Sequence, residues 1–227
     1  MRRGLHLPYN FFILLLMSQF VTFEGGDGTG KTTQVRALEN YLSAQGRACI
    51  VTREPGGTSL GKLIRQVLLQ VGEHEIASST ELFLYLADRA QHVNEVIAPA
   101  LNAKKIVLCD RFTDSTLAYQ GYGRGIDLGR LKQFNDIAAS GVRPNLTFLL
   151  DCPIALGLAR TGERQVRAGQ PRADRFEQEK REFHEKVRAG FLELAAAEPK
   201  RFRVIDASRS LDEVTLAIRK IIDRDLV

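Results

Sequence analysis

The chain has 227 residues, 44% of them hydrophobic, enough for one substantial core, so a single domain is the expectation. Its 32 basic and 27 acidic residues leave a formal charge of +5, which suits a polyanionic small ligand; no Lys/Arg block interleaves with aromatics, which argues against a nucleic-acid track. Cys49, Cys109 and Cys152 are odd in number, widely spaced and form no C-x-x-C pair, so they read as small core residues of a reducing compartment, against zinc and disulfides.

The N-terminus begins Met1-Arg2-Arg3 and continues to Phe11-Phe12-Ile13-Leu14-Leu15-Leu16, a basic start and apolar core in the manner of a signal peptide. The apolar run is shorter than the roughly 20 residues that cross a bilayer, and no small-x-small cleavage site follows it. Met17-Ser18-Gln19 leads directly toward the first strand. Residues 1–16 are therefore expected to be a non-native or dispensable extension, with Met17 the functional start, one domain over 17–227 and no membrane anchor.

An apolar, β-rich run, Phe20-Val21-Thr22-Phe23, precedes Gly25-Gly26-Asp27-Gly28-Thr29-Gly30-Lys31-Thr32, a complete G-x-x-x-x-G-K-[ST] phosphate loop. A helix-patterned stretch, Lys31–Ala44, follows it. In that context backbone N–H groups and a helix N-terminus face a triphosphate, Lys31 reaches its outer oxygens and the Thr32 hydroxyl is placed to hold Mg²⁺. This chain is expected to bind a nucleoside triphosphate.

Strand and helix patterns then alternate. Val35, Leu38 and Leu42 form one helical face ending at Gly46, and Ala48–Thr52 reads as a short buried strand. Leu60, Leu63, Ile64, Val67, Leu68 and Val71 follow the spacing of a core-facing helix. Ser78-x-x-Glu81 reads as a capping box. Ile106–Cys109 and Leu146–Leu150 are continuous apolar runs, the pattern of strands covered on both faces. Arg203–Ile205 is a last strand, and Ser210-x-x-Glu213 caps a final helix bearing Leu211, Val214, Ile218 and Ile221. Five strands separated by helices predict an α/β fold, a five-stranded parallel sheet with helices on both faces and its ligands at the carboxyl ends of the strands.

Unusual residues sit at those ends. Arg53-Glu54-Pro55-Gly56-Gly57-Thr58 follows the second strand and presents an arginine; Asp110-Arg111-Phe112 follows the third, where Asp110 can hold Mg²⁺ and Arg111 adds a cation. On the helix after Ser78, Leu82, Tyr85, Leu86 and Arg89 share one stripe, which puts a charge on an apolar face. Arg89 needs a partner, either a carboxylate on another element or a ligand, and Asp88 points elsewhere. The Tyr85 ring, one turn back, can pack in a core or stack on a planar base. Spacing alone leaves both readings open.

Taken together, Phe23-Glu24-Gly25-Gly26-Asp27-Gly28-x-Gly30-Lys31-Thr32-Thr33-Gln34, Arg53–Thr58 and Asp110-Arg111-Phe112-x-x-Ser115-x-x-Ala118-Tyr119-Gln120 resemble the thymidylate kinase family. Arg143-Pro144-Asn145-Leu146-Thr147 and Asp174-Arg175-Phe176-Glu177 continue the likeness, which covers Gln19 to about Asp223 in order. The resemblance implies a P-loop nucleoside-monophosphate-kinase-like fold with a short lid near 160–175. It also implies phosphoryl transfer from ATP·Mg²⁺ to dTMP, a homodimer and a cytoplasmic location.

By the same resemblance, Gly25 to Thr32 hold the donor phosphates, and Thr32 and Asp110 the metal. Asp27 takes the 3′-hydroxyl of dTMP, while Arg53 and Arg111 clamp the acceptor phosphate. Arg89 donates to the thymine edge, Ser115, Thr116 and Gln120 complete the acceptor site, and Tyr119 packs under the sugar. The base-stacking position, usually Phe, is Tyr85 here. The phosphate loop carries Gly28 and Thr29 and no basic residue before Gly30, so the catalytic arginine is expected from the lid, as in the bacterial subtype. Arg160 and Arg164 lie one helical turn apart, suited to adenine stacking and phosphate contact. Arg164 is expected to meet the transition-state charge, with Arg167 next and Arg172 and Arg175 nearby. A nucleotide-switch GTPase lacks support, since no Asn-Lys-x-Asp segment is present; a nucleoside kinase or a different nucleoside-monophosphate kinase is the nearest alternative.

Overall fold

The computed structural model describes residues 19–71, 75–167 and 175–225. The expectations placed on residues 1–16, on Arg172 and on the side chains of Arg164 and Arg167 lie outside the described residues. Five strands, β1 Phe20–Glu24, β2 Cys49–Arg53, β3 Ile106–Asp110, β4 Leu146–Asp151 and β5 Phe202–Asp206, form one parallel sheet in the order β2-β3-β1-β4-β5. The helices are α1 Lys31–Ala44, α2 Ser59–Leu69, α3 Ser78–His92, α4 Ala98–Asn102, α5 Thr113–Thr116, α6 Leu128–Ala138, α7 Ile154–Arg167, α8 Arg181–Ala197 and α9 Leu211–Asp225. Two π-helical segments, Val93–Ile97 and Leu117–Gly123, continue α3 and α5.

Alternation along the strands separates two cores. Val21 and Phe23 pack with Val35, Leu38 and Leu42 of α1 and Val214, Ile218 and Ile222 of α9. Phe20 and Val107 face the other way, onto Val93, Ile97 and Ala100. Further along that face, Leu149 and Phe202 meet Val187 and Phe191 of α8. Strands β1 and β3 are buried at every residue, as their unbroken apolar runs predict.

The edge strand β2 departs from the expected burial: Cys49 and Ile50 are half-buried and Val51 is exposed, because a neighbouring strand pairs with it on one side alone. A larger departure concerns α2. Its apolar stripe does not enter the core. Leu60, Leu63 and Val67 are about half exposed, as is Val71 beyond the helix end to a lesser degree, and of the stripe Leu68 alone is fully buried. Periodicity reports that a face is apolar; it does not report what covers it.

The two expected capping boxes divide. Ser210 and Glu213 form theirs, with Ser210 N donating to Glu213 Oε2 at 3.0 Å and Glu213 N to Ser210 Oγ at 3.4 Å. Ser78 is instead the first residue of α3, after an N-cap Ala77 whose methyl cannot accept a hydrogen bond, and Glu81 is drawn inward to two arginines. The pull of those charges on a buried carboxylate exceeds the modest gain from a cap.

Register places the site. Phe23 and Arg53 both pair opposite Asp110, so β1, β2 and β3 end at one level and the segments after them open on the same edge of the sheet.

Candidate active site

The phosphate loop is shaped by its glycines. Gly30 precedes α1 with φ +91 and no side chain caps the helix, so its first N–H groups stay open toward an anion. Gly28 has φ +73, and a β-carbon there would lie 1.9 Å from the carbonyl oxygen of Gly157 in α7. The loop and α7 therefore meet backbone to backbone. Thr29 Oγ1 donates to the Gly26 carbonyl at 3.0 Å, and Lys31 Nζ donates back to the carbonyls of Gly25 at 3.0 Å and Gly26 at 2.6 Å. Burial, with help from the nearby Arg111 guanidinium, lowers the Lys31 ammonium to about 8. Thr32 Oγ1 donates to Asp110 Oδ2 at 2.6 Å across the gap between loop and β3.

Arg111 holds a left-handed backbone, φ +72, rare for a side chain of its size. Two bonds fix it: its N–H donates to Phe23 O at 3.0 Å, and the next N–H, of Phe112, donates to Glu24 Oε1 at 2.7 Å. Glu24 also accepts from Ser115 Oγ at 2.6 Å; burial and the neighbouring Asp114 carboxylate push it up to about 8. The turn aims the Arg111 guanidinium across the loop, donating to Asp27 Oδ1 at 2.7 Å, Gly25 O at 3.0 Å, Ser115 Oγ at 3.2 Å and the Tyr119 hydroxyl at 3.2 Å. Tyr119 in turn donates to Asp27 Oδ2 at 3.0 Å. Burial alone would raise the Asp27 carboxyl, but Arg111 and Lys31 outweigh it and hold the group at about 2.

Arg89 is almost completely buried, 1% exposed, and its partner is a carboxylate on another element. Glu54 Oε2, just past β2, accepts from Arg89 Nε at 2.9 Å and lies 2.8 Å from Nη2. Arg89 Nη1 donates to Thr116 Oγ1 at 2.9 Å and Asn135 Oδ1 at 2.6 Å. Behind it His92 Nδ1 sits 2.9 Å from Glu54 Oε1, and its Nε2 is 2.5 Å from Thr52 Oγ1. Asp88 does point elsewhere, accepting from Gly56 N at 3.0 Å.

A cleft of about 850 Å³ joins these parts. Asp27, Gly28, Gly30, Lys31 and Thr32 lie at one end, Tyr85, Arg89, Thr116 and Gln120 at the other, and Arg53, Asp110, Arg111, Ser115 and Tyr119 also line it. Arg160 lines it as well, its Nη1 donating to Ala207 O at 2.7 Å. Gly25, Gly26 and Thr29, expected among the phosphate contacts, do not. They face a small cavity beneath the loop, where Thr29 bonds Gly26 and Lys31 rests on the carbonyls of Gly25 and Gly26.

Sequence reasoning missed Glu54, Asn135 and Glu81. Asn135 carried a usable signal, since Leu131, Asn135 and Ala138 form one buried stripe of α6 with a polar residue in it, the same anomaly that marked Arg89. Glu54 carried none beyond its place at a strand end, and Glu81 was hidden by the apparent capping box.

Comparison with known proteins agrees with this geometry. The sequence model of the family "Thymidylate kinase" matches residues 23–218. The chain is 54% identical over 205 residues to a thymidylate kinase of Desulfovibrio desulfuricans, covering 90% of this chain and 94% of that protein. It is 55% identical over 200 residues to one of Solidesulfovibrio magneticus, covering 88% and 96%. A crystal structure of thymidylate kinase from Ehrlichia chaffeensis superposes with a TM-score of 0.72 at 36% identity, covering 90% of this chain and 98% of that one. With the match spanning nearly all of the described fold, the chain belongs to the thymidylate kinase family.

Proposed function

We propose that the cleft binds dTMP and ATP end to end and that the side chains of its two ends divide the work of moving the γ-phosphoryl group to dTMP, giving ADP and dTDP for dTTP synthesis. One observation carries this assignment: Tyr85 and Arg89 share a single cleft with Arg111 and the phosphate loop, so a base held at one end points its phosphate at a nucleotide held at the other.

Lys31 and the open N-terminus of α1 take the donor phosphates. Arg53 and Arg111 take the acceptor phosphate, and Arg111, which already reaches the loop, spans both phosphates as charge develops between them. Asp27 takes the sugar 3′-hydroxyl, with Tyr119 beneath the ring. The Tyr85 face stacks on thymine, Arg89 donates to its edge, and Ser115, Thr116 and Gln120 close the pocket. Arg160 lies on the adenine side, and Arg164 is assigned the transition-state charge. Transfer needs no covalent intermediate; in-line placement and fixed cations lower the barrier.

The donor set fits Mg²⁺. Thr32 and Asp110 bring two oxygens together, and among the described residues no three His, Cys, Asp or Glu converge. Magnesium keeps most of its ligands as water and phosphate oxygens, so a sparse all-oxygen set is what it uses. Thr32 and Asp110 would hold the ion, which when bound offsets phosphate charge.

The acceptor panel dTMP, dUMP, dCMP, AMP and thymidine, each with ATP·Mg²⁺, tests the reading; dTMP is expected to give the highest kcat/KM, and failure to phosphorylate it refutes the assignment. We further assign the exposed stripe of α2 to a homodimer. Leu60, Leu63 and Val67 are exposed on α2, which packs along α3; Phe83 of α3 is exposed too, its ring 6.2 Å from Phe134 of α6, and Ile137 of α6 is also exposed. Exposed apolar side chains on three helices that pack in succession mark an interface. Light scattering should give twice the chain mass, falling to the chain mass in Leu63→Glu; a monomeric wild type sinks the proposal. Among the described residues no helix is long and apolar enough to cross a membrane, and the reading places the enzyme in the cytoplasm, with ATP at hand.

A further inference from the structure

Glu81 is a buried carboxylate that none of these roles uses. It lies on α3 one turn before Tyr85, is 0% exposed, and does not line the cleft. Three side chains converge on it. Gln120 Nε2 donates to its Oε1 at 2.7 Å, Arg124 reaches both oxygens through Nε at 3.3 Å and Nη2 at 3.2 Å, and Arg175 Nη1 pairs with Oε2 at 2.6 Å. Arg175 is itself tied down, its Nε donating to Leu68 O at 3.0 Å, and Arg124 Nη1 pairs with Glu179 at 2.6 Å. The carboxylate is thus gripped from two sides and cannot turn away.

The chemistry of the contact decides the orientation of Gln120. A side-chain amide has a donating end and an accepting end, and many surroundings tolerate either orientation. A carboxylate between two guanidinium groups accepts and does not donate. Gln120 must therefore turn its NH₂ to Glu81, which leaves Oε1 for the cleft it lines. In the same cleft, Arg89 has Nε on Glu54 and both Nη1 protons on Thr116 and Asn135; Nη2 pairs with Glu54 through one proton, and no described residue takes the other. The pocket lining thus carries a donor on Arg89 and an acceptor on Gln120. That pair complements the O4 acceptor and N3–H donor of thymine, and it opposes the reversed edge of cytosine.

We infer that Glu81 is a positioning residue for base selection: by fixing the Gln120 amide with its carbonyl toward the cleft, it makes the pocket accept a keto-imide pyrimidine and refuse an amino-pyrimidine. This rests on the reading of the cleft as the dTMP site. A site whose polar groups are locked in one orientation leaves a mismatched base with unpaired groups, which is what gives strong discrimination.

The test compares kcat/KM for dTMP and dCMP in the wild type and in Glu81→Gln. The amide at 81 can donate as well as accept, so Gln120 becomes free to turn over. The dTMP:dCMP ratio is expected to narrow by about tenfold or more, through KM for the two acceptors and with KM for ATP unchanged. An unchanged ratio, even with a lowered Tm, overturns the inference and leaves Glu81 a purely structural group. Should Glu81→Gln not fold, the Gln120 side-chain NH₂ resonances of the wild type serve in its place. They are expected to exchange slowly both without and with dTMP; NH₂ protons that exchange freely without dTMP and become protected when it binds overturn the inference. A wild type that fails to phosphorylate dTMP at all defeats the underlying reading, and this inference with it; activity on dTMP with an unmoved ratio defeats this inference alone.

Discussion

The two ends of the cleft treat charge differently. At the phosphate end the donors rest on partners that a ligand can replace: Lys31 lies on two carbonyls of its own loop and Thr32 on Asp110. At the base end the working groups are held by buried partners set by the fold. Arg89 is held by Glu54, Thr116 and Asn135, and Gln120 by Glu81. Phosphates are therefore met by exchange of partners, and the base by a frame assembled when the chain folds. Arg111 sits between the two, donating to Asp27 through Nη2 and to the Gly25 carbonyl through Nη1.

Removing the go-between should have the largest effect. Arg111→Ala is expected to lower kcat by about 10³-fold or more, in line with the loss of a cation fixed on a transferring phosphoryl group. The fold should survive, because Glu24 bonds the backbone of Phe112 and not the guanidinium; a kcat within tenfold of wild type in steady-state assays excludes Arg111 from the reacting centre. Glu54→Gln attacks the frame. It leaves the buried Arg89 guanidinium without its counter-charge, and should lower the free energy of unfolding by about 3 kcal/mol in urea titrations, near the lower bound for breaking a buried ion pair because the amide still accepts a hydrogen bond. Unaltered stability would mean that the base end is no more pre-built than the phosphate end. The smallest effect is a proton. Free Lys31 titrates near 8, held down first by burial and then by Arg111. A bound triphosphate favours the ammonium form and raises that value, so ATP binding at pH 9 should take up a fraction of a proton, and affinity should fall as pH rises above about 8. Calorimetry in two buffers of different ionisation heat measures the uptake; none between pH 8 and 10 removes Lys31 from the exchange.

The same contrast explains what could be read from the chain. The phosphate loop is legible because its residues are contiguous and their spacing is itself the geometry. The base pocket is assembled across the fold: Arg89 meets Glu54 35 residues away and Asn135 46 residues away. Sequence could show that Arg89 was out of place on its stripe, but not which of several carboxylates would answer it. The strands and most helices followed from pattern, whereas the stripe of α2 was placed inside because an apolar face looks alike whether this chain or a second one covers it. Glu81 failed for the opposite reason. A local motif offered it a plausible partner at Ser78, and long-range charge decided otherwise.

The carbonyl oxygen of Gly157 stands where residue 28 would carry its first side-chain atom, and Gly157 in turn would strike the Asp27 carbonyl 2.6 Å away. Positions 28 and 157 thus share one slot of space, and a methyl group at either pries the strand-to-helix crossover off the nucleotide cradle. Mutational drift at one codon cannot be rescued by shrinking the other, since both already encode the smallest residue. A library randomised at the two codons together and selected for growth should return the same glycine pair it started from.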